Sequence, residues 1–292
     1  MADGRSAVQL VAALEATSSR KDDHLVEEVG MLEQDGRRLA YLMTMPRDRP
    51  KRTGVVICHS WFEFKMLQSA EIALARAVAL SGFSAIYIQA PGMGDSSGVY
   101  SDCTVEARVG TALRAAEELL ACGQFPDRVC MFGARMGAAI AARAAQELGP
   151  GSSLAMWDPA LNSSDYWKQA KRFGRVVATL GPRTKQFATP DESLAATGRA
   201  SFLGYQVTQE MVDDLQNIDS IVDGPKSTGP ALILSLNDQM VSAATRTVSS
   251  FVQEVDGVSL GRPKPRHLIH MGVKEAKEAV EATVGWMERR LN

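Results

Sequence analysis

The densest chemical signal in the chain is Gly133-Ala134-Arg135-Met136-Gly137, which ends the apolar run RVCMF and opens into the Ala-rich stretch AAIAARAAQEL. A strand, then Gly-x-residue-x-Gly, then a helix is the shape of a nucleophile elbow. This tight turn lifts its central side chain onto the N-terminus of the next helix. Here the central residue is Arg135. A guanidinium stays protonated at any working pH and has no lone pair to attack with. What it can do is bind. At a helix N-terminus, where free N–H groups and the positive dipole end already favour negative charge, it would hold a carboxylate, a phosphate or an enolate. The bland alternative is that Arg135 only pairs with a nearby carboxylate such as Asp158 or Asp238.

The elements around this turn give it a setting. GVVICHS, FSAIYIQA, RVCMFGA, SLAMWDP and PALILSLND are apolar runs of strand length, continuous rather than alternating, as expected of strands buried on both faces. Between them lie helix-like stretches: Ala70–Leu80, TVEARVGTALRAAEELLACG, GAAIAARAAQELG, Ser242–Val255 and Lys274–Leu291. RHLIHMG is a last short strand-like run. This alternation predicts an α/β protein with a mostly parallel sheet. HLVEEVGML and RRLAYLMTMP flank Asp35-Gly36 and predict an antiparallel N-terminal hairpin at one edge. Residues 1–23 read as one amphipathic helix. Residues 24–159 and 229–292 form the core, and 160–228 form an insertion with helix-like patches at Asp165–Leu180, Asp191–Thr197 and Gln209–Ile218. That insertion reads as a helical lid over the carboxyl ends of the strands, where open α/β sheets bind ligands. The segments at those ends are Cys58-His59-Ser60, Gln89-Ala90-Pro91-Gly92, the elbow, Trp157-Asp158-Pro159 and Asn237-Asp238-Gln239.

Composition narrows the partners. Lys and Arg number 32 against 34 Asp and Glu, a balance that gives no basic footprint for nucleic acid or an anionic membrane. No run approaches the ~20 apolar residues of a membrane span. The apolar stretch Val8–Leu14 is closed by Glu15 and has no strong basic region before it, so a secretory signal is not expected. Four cysteines in 292 residues are no disulfide framework, so a cytoplasmic location is expected. There is no HExxH, no CxxC pair, no GxxxxGK[ST] and no GxGxxG after a strand, so neither a metal nor a cofactor is expected.

Read in order, GVVICHSWFEFK, SGFSAIYIQAPGMGDSSG, RVCMFGARMGAAIAARAA, LAMWDPALN and FLGYQVTQEMVDDL resemble the α/β-hydrolase family. More narrowly, they resemble its bacterial serine-aminopeptidase-like and exosortase-associated hydrolases. The resemblance runs from about Gly54 to the C-terminus. It implies an α/β-hydrolase fold and a Ser-Asp-His triad, but the serine position holds Arg135. Asp238 stands where the family places its acid, and His270 best matches its histidine, with His267 an alternative. The resemblance puts the oxyanion loop at His59 and Ser60, and the elbow turns the Met136 N–H toward the same place. Trp61, Trp157 and Asp158 would line a substrate site there.

Three functions follow. The first is an enzyme without an acyl-enzyme, in which Arg135 anchors an anion or carbonyl and Asp238 orients His270 as acid and base, as in a specialised biosynthetic step. The dyad's bland counterpart is a hydrogen-bonded pair that only stabilises the fold. The second is a non-catalytic ligand-binding or partner pseudo-hydrolase. The third is an ester, thioester or amide hydrolase or acyltransferase with its nucleophile relocated to Ser60, Ser96, Ser97, Cys58 or Cys103, any of which needs a base within reach. Aromatic residues around the loop and the insertion, among them Phe62, Tyr166, Trp167, Phe202 and Tyr205, suit an acyl, aromatic or anionic small molecule as the partner. A homodimer stays open.

Overall fold

The computed structural model describes residues 24–48, 50–62, 64–122, 128–160, 162–180, 189–218, 229–262 and 273–292. The helix expected over residues 1–23 lies outside them. So do His267, His270 and the strand expected over residues 266–272.

The chain opens with the expected hairpin, β1 (Leu25–Gln34) against β2 (Arg37–Pro46), in register from Leu25 opposite Pro46 to Gln34 opposite Arg37. Asp35 and Gly36 close it at φ of 50° and 71°. Positive φ at both turn residues matches the twist of the strands they join. Then follow β3 (Thr53–Cys58), α1 (Phe64–Leu80), β4 (Ser84–Ile88), a 3₁₀ turn at Tyr100–Asp102, α2 (Val105–Ala121), β5 (Arg128–Ala134), α3 (Gly137–Leu148) and β6 (Ser153–Trp157). The insertion comes next. It holds α4 (Ser163–Leu180), α5 (Pro190–Thr197), β7 (Arg199–Phe202), β8 (Tyr205–Thr208) and α6 (Gln209–Gln216). The core resumes with β9 (Ala231–Ser235), α7 (Asp238–Val248), β10 (Val255–Ser259) and α8 (Val273–Arg290).

The eight-stranded sheet runs β1-β2-β4-β3-β5-β6-β9-β10. β2 meets β4 antiparallel, and every pairing from β4 to β10 is parallel. β3, β4, β6 and β9 are buried along their whole length, which is why their sequences read as unbroken apolar runs. The helices cover both faces, with α1 packed on α8 and α2 on α3. Side-chain caps set where helices begin. Thr104 accepts from the Ala107 N–H at 3.1 Å ahead of α2, and Asn237 accepts from the Met240 N–H at 3.1 Å ahead of α7.

Two local expectations are corrected. The helix expected over Ser242–Val255 begins at Asp238, where the Asn237 cap starts it, and ends at Val248. Val255 instead opens β10, a half-buried edge strand. Within the insertion, the segment between the second and third helical patches is the two-stranded hairpin β7–β8, turned at Leu203-Gly204 with φ of 50° and 86°.

Candidate functional site

The elbow forms as the sequence predicts, and its two glycines show why. A Cβ on Gly133 would sit 2.2 Å from the Gly137 carbonyl oxygen, and one on Gly137 would sit 2.3 Å from the Cys58 carbonyl oxygen. Strand, turn and neighbouring strand end therefore meet at backbone distance. Arg135 takes φ of 53°, the left-handed conformation of such a turn. Its N–H donates to the Trp157 carbonyl at 2.9 Å, and its carbonyl accepts from the Ala160 N–H at 3.2 Å. These bonds lock the turn to the end of β6.

The Arg135 side chain is 3% exposed and engaged from within the protein. Nη1 donates to Asp158 Oδ2 at 3.0 Å and to the Asp158 carbonyl at 3.3 Å, and Nη2 donates to Gln169 Oε1 at 2.9 Å. The Tyr166 ring lies 5.7 Å from the guanidinium carbon. Asp158 is buried, also left-handed with φ of 44°, and held by its N–H to the Leu234 carbonyl at 2.7 Å and by the Ser235 hydroxyl at 3.5 Å. The position that would carry a nucleophile is thus one half of a buried ion pair between the ends of β5 and β6. Gln169, from the insertion, completes it. Gln169 was not singled out from sequence; its spacing of three from Tyr166 on α4, which sets the two on one helix face, was the available signal.

The other expected residues divide. Met136 is buried at the start of α3, and its N–H has no acceptor among the described residues. The His59 side chain is held by α1: Nδ1 lies 2.7 Å from Glu71 Oε2, both side chains are about 1% exposed, and the imidazole packs edge-on against Tyr87. Ser60 is buried with its Oγ 3.4 Å from the Tyr166 hydroxyl. Trp61 is buried with the Arg108 guanidinium carbon 4.0 Å above its ring. Trp157 packs edge-on against Phe132 and donates Nε1–H to Thr283 Oγ1 of α8 at 2.8 Å, in the core. Asp238 is exposed at the first position of α7, where a carboxylate is favoured by the helix dipole, and it has no hydrogen-bond partner among the described residues. Arg135, Asp158, Ser60 and Tyr166 are brought together; His59 and Trp157 turn elsewhere.

The alternative nucleophiles have other duties or poor chemistry. The Ser96 hydroxyl accepts from the Ala40 N–H and donates to the Gln89 carbonyl, and the Ser97 hydroxyl accepts from the Arg38 N–H. Both fasten the loop after β4 to the hairpin. Burial pushes the Cys58 and Cys103 thiols well above the ordinary thiol range and so disfavours the thiolate. No cluster of three His, Cys, Asp or Glu side chains that could hold a metal is present among the described residues. Under the insertion, Phe62 packs with Tyr166, Trp167 and Phe202, and Tyr100 stacks on Tyr205. A cavity of about 460 Å³ opens between α4, α5 and α6, lined among others by Trp167, Lys168, Lys171 and Asp191.

The sheet order, the antiparallel hairpin, the elbow after β5 and the helical insertion define an α/β-hydrolase fold. Solved structures bear this out. The fold is similar to that of Est1E from Butyrivibrio proteoclasticus, solved with ferulic acid bound, at a TM-score of 0.62 and 17% identity over 90% of this chain and 99% of that one. It is also similar to the esterase domain of a Rhodothermus marinus protein (TM-score 0.60, 19% identity, 91% of this chain and 100% of that one). Mouse alpha/beta hydrolase domain-containing protein 10 matches at a TM-score of 0.56 and 14% identity, over 91% and 100%. No family sequence model matches the chain, and no curated protein sequence matches it. At these identities the likeness is one of fold.

Proposed function

We propose that this protein is a pseudo-hydrolase: an α/β-hydrolase-fold binder of a small acyl or aromatic molecule that forms no acyl-enzyme at its elbow. The observation that carries this reading is the Arg135–Asp158 pair, 3.0 Å apart and buried, with Gln169 on the second guanidinium nitrogen. A cation already neutralised by an internal carboxylate neither attacks a carbonyl nor offers its charge to a ligand without first losing that partner. Trp167, which lines the cavity under the insertion and packs on Phe62 and Phe202, supports an apolar ligand, and Est1E, a structural neighbour, is known with ferulic acid. We place the chain nearest the serine-aminopeptidase-like and exosortase-associated hydrolases on its loop and insertion sequences. Its four free cysteines suit the cytoplasm.

The test is a thermal-shift panel of aromatic and acyl acids and their esters, run beside a product assay and a fluorophosphonate probe. Stabilisation with no product and no labelling is the expected outcome. Stoichiometric labelling of any serine would overturn it.

A second reading has one observation in its favour. Asp238 is exposed at the carboxyl end of β9, at the first position of α7, where its carboxylate is available to orient an imidazole such as that of His270. On that reading the protein is an enzyme of the lyase, cyclase, isomerase or water-mediated hydrolase type, with Arg135 as anion anchor. Turnover that is lost in both Asp238→Asn and His270→Ala would select it.

A further inference from the structure

We infer that Arg108, not Arg135, is the anion anchor of the ligand site beneath the insertion, and that it takes the carboxylate of an aryl acid. The inference rests on the binding function proposed above and adds the ligand's charge and the residue that reads it. Arg108 lies in the first turns of α2 and is 3% exposed. Its guanidinium carbon sits 4.0 Å above the Trp61 ring and 5.8 Å from the Tyr100 ring. Nε and Nη2 are buried with no geometric hydrogen-bond partner among the described residues, and none of the ion pairs formed there includes Arg108. The Tyr100 hydroxyl and the Cys103 thiol are within hydrogen-bonding reach of it. Burial pushes both well above their ordinary ranges, so they stay neutral and bring no counter-charge.

The two arginines therefore differ in kind. Arg135 has Asp158. Arg108 has aromatic faces and the neutral Tyr100 hydroxyl and Cys103 thiol, and neither cation–π contact nor a neutral partner supplies a counter-charge. An arginine cannot escape by losing its proton, so the cost of burying this charge stands until an anion arrives. What covers the guanidinium is the Trp61 ring of the loop after β3 and the Tyr100 ring of the 3₁₀ turn, and the Tyr205 ring of β8 stacks 4.3 Å from Tyr100. Tyr205 is half-buried and belongs to the insertion's small hairpin. An aryl carboxylate fits this arrangement: its ring takes the place of Tyr205 on Tyr100, and its oxygens meet the Arg108 fork.

The test compares ferulate with its neutral methyl ester on the wild-type protein, Arg108→Met and Arg135→Met, by thermal shift and titration calorimetry. The wild-type protein should bind the acid roughly tenfold or more tightly than the ester, the gain of a charge-assisted hydrogen bond. Arg108→Met should lose that preference and melt, without ligand, no lower than the parent, because a charge lacking a counter-ion has been removed. Arg135→Met should keep the preference. Equal binding of acid and ester by the wild-type protein would overturn the inference and leave the binding function standing. Binding of neither would overturn both. If Arg108→Met melts well below the parent without ligand, Arg108 is a packing residue and the inference fails whatever the ligands do. Should that variant not fold, Arg108→Lys keeps the charge and loses the planar fork, and an unchanged preference for the acid in it would refute recognition by the fork.

Discussion

Replacing Asp158 by Ala takes from the buried Arg135 guanidinium the carboxylate 3.0 Å away that balances its charge, while the Gln169 amide and the residue-158 carbonyl remain. The remaining charge cannot neutralise itself. Breaking a buried ion pair on one side costs ~3–5 kcal/mol. At ~2–4 °C per kcal/mol for a domain of this size, the melting temperature should fall by roughly 6–20 °C. Arg135→Met should cost a comparable amount, since it removes the cation that balances the wholly buried Asp158 carboxylate. The double variant Arg135→Met/Asp158→Leu removes both charges and fills the space with apolar atoms, so it should recover most of the loss. Urea unfolding of the parent, Arg135→Met, Asp158→Leu and the double variant, followed by circular dichroism, gives the four corners of the cycle, and with each single change costing ~3–5 kcal/mol and the double recovering most of it, the coupling should be at least ~4 kcal/mol. Additivity within ~0.5 kcal/mol would show that the two side chains do not interact energetically. The elbow would then hold an available cation, and the binding argument built on its neutralisation would fall.

Gly137→Ala places a Cβ 2.3 Å from the Cys58 carbonyl oxygen, a clash with backbone that no rotamer relieves, so the variant should lose ~3 kcal/mol or more and melt accordingly lower. Iodoacetamide at pH 8 should modify half-buried Cys122 first by mass spectrometry, leaving Cys58, Cys103 and Cys130 intact until the protein unfolds, because burial pushes the Cys130 thiol up to about 12 and the other two upward as well. Rapid native labelling of Cys58 would contradict the packing described. Hydrogen bonds from Arg290 and from the Trp286 indole hold the Asp256 carboxyl below its ordinary range. Its stabilising contribution is therefore full above the unfolded value near 3.9 and is lost as pH falls through the depressed folded value. Asp256→Asn should be less stable than the parent at pH 7, with the gap narrowing as pH falls below the unfolded value near 3.9; a gap unchanged from pH 7 to the acid limit of the fold would refute that origin.

Much of this fold is written in local pattern. The Asp35-Gly36 turn adopts the positive φ values its residue types favour, and the fully buried strands β3, β4, β6 and β9 stand out because nothing polar interrupts them. β10 escaped because VDGVS is half-buried at a sheet edge and carries neither a long apolar run nor clean alternation. The β7–β8 hairpin escaped because four residues a strand are too few for a period to show. At the site, the Gly-x-Arg-x-Gly spacing locates the elbow, and the sequence offers Asp158 and Asp238 as carboxylates able to pair with Arg135. Choosing between them needed the sheet order: β6 lies beside β5, while Asp238 follows β9, one strand further out. Gln169 and Arg108 were illegible for a related reason. Each sits on a helix whose sequence suggests solvated polar positions, and each is buried by a segment distant in the chain, the elbow for Gln169 and the Trp61 loop for Arg108.

The elbow's geometry is not by itself a mark of catalysis. A left-handed non-glycine residue costs about 1–2 kcal/mol, which a nucleophile repays by being presented to substrate. Here the same conformation points the Arg135 N–H at the Trp157 carbonyl and lets its own carbonyl accept from Ala160, while Asp158, left-handed too, sends its N–H to Leu234 of β9. Two strained residues thus tie together three adjacent strand ends, and the ion pair between their side chains closes the join. The strain is offset by structure alone, without any reacting group. What separates a structural cation from a functional one in this fold is then whether the protein supplies the counter-ion. It does so at Arg135 and not, among the described residues, at Arg108.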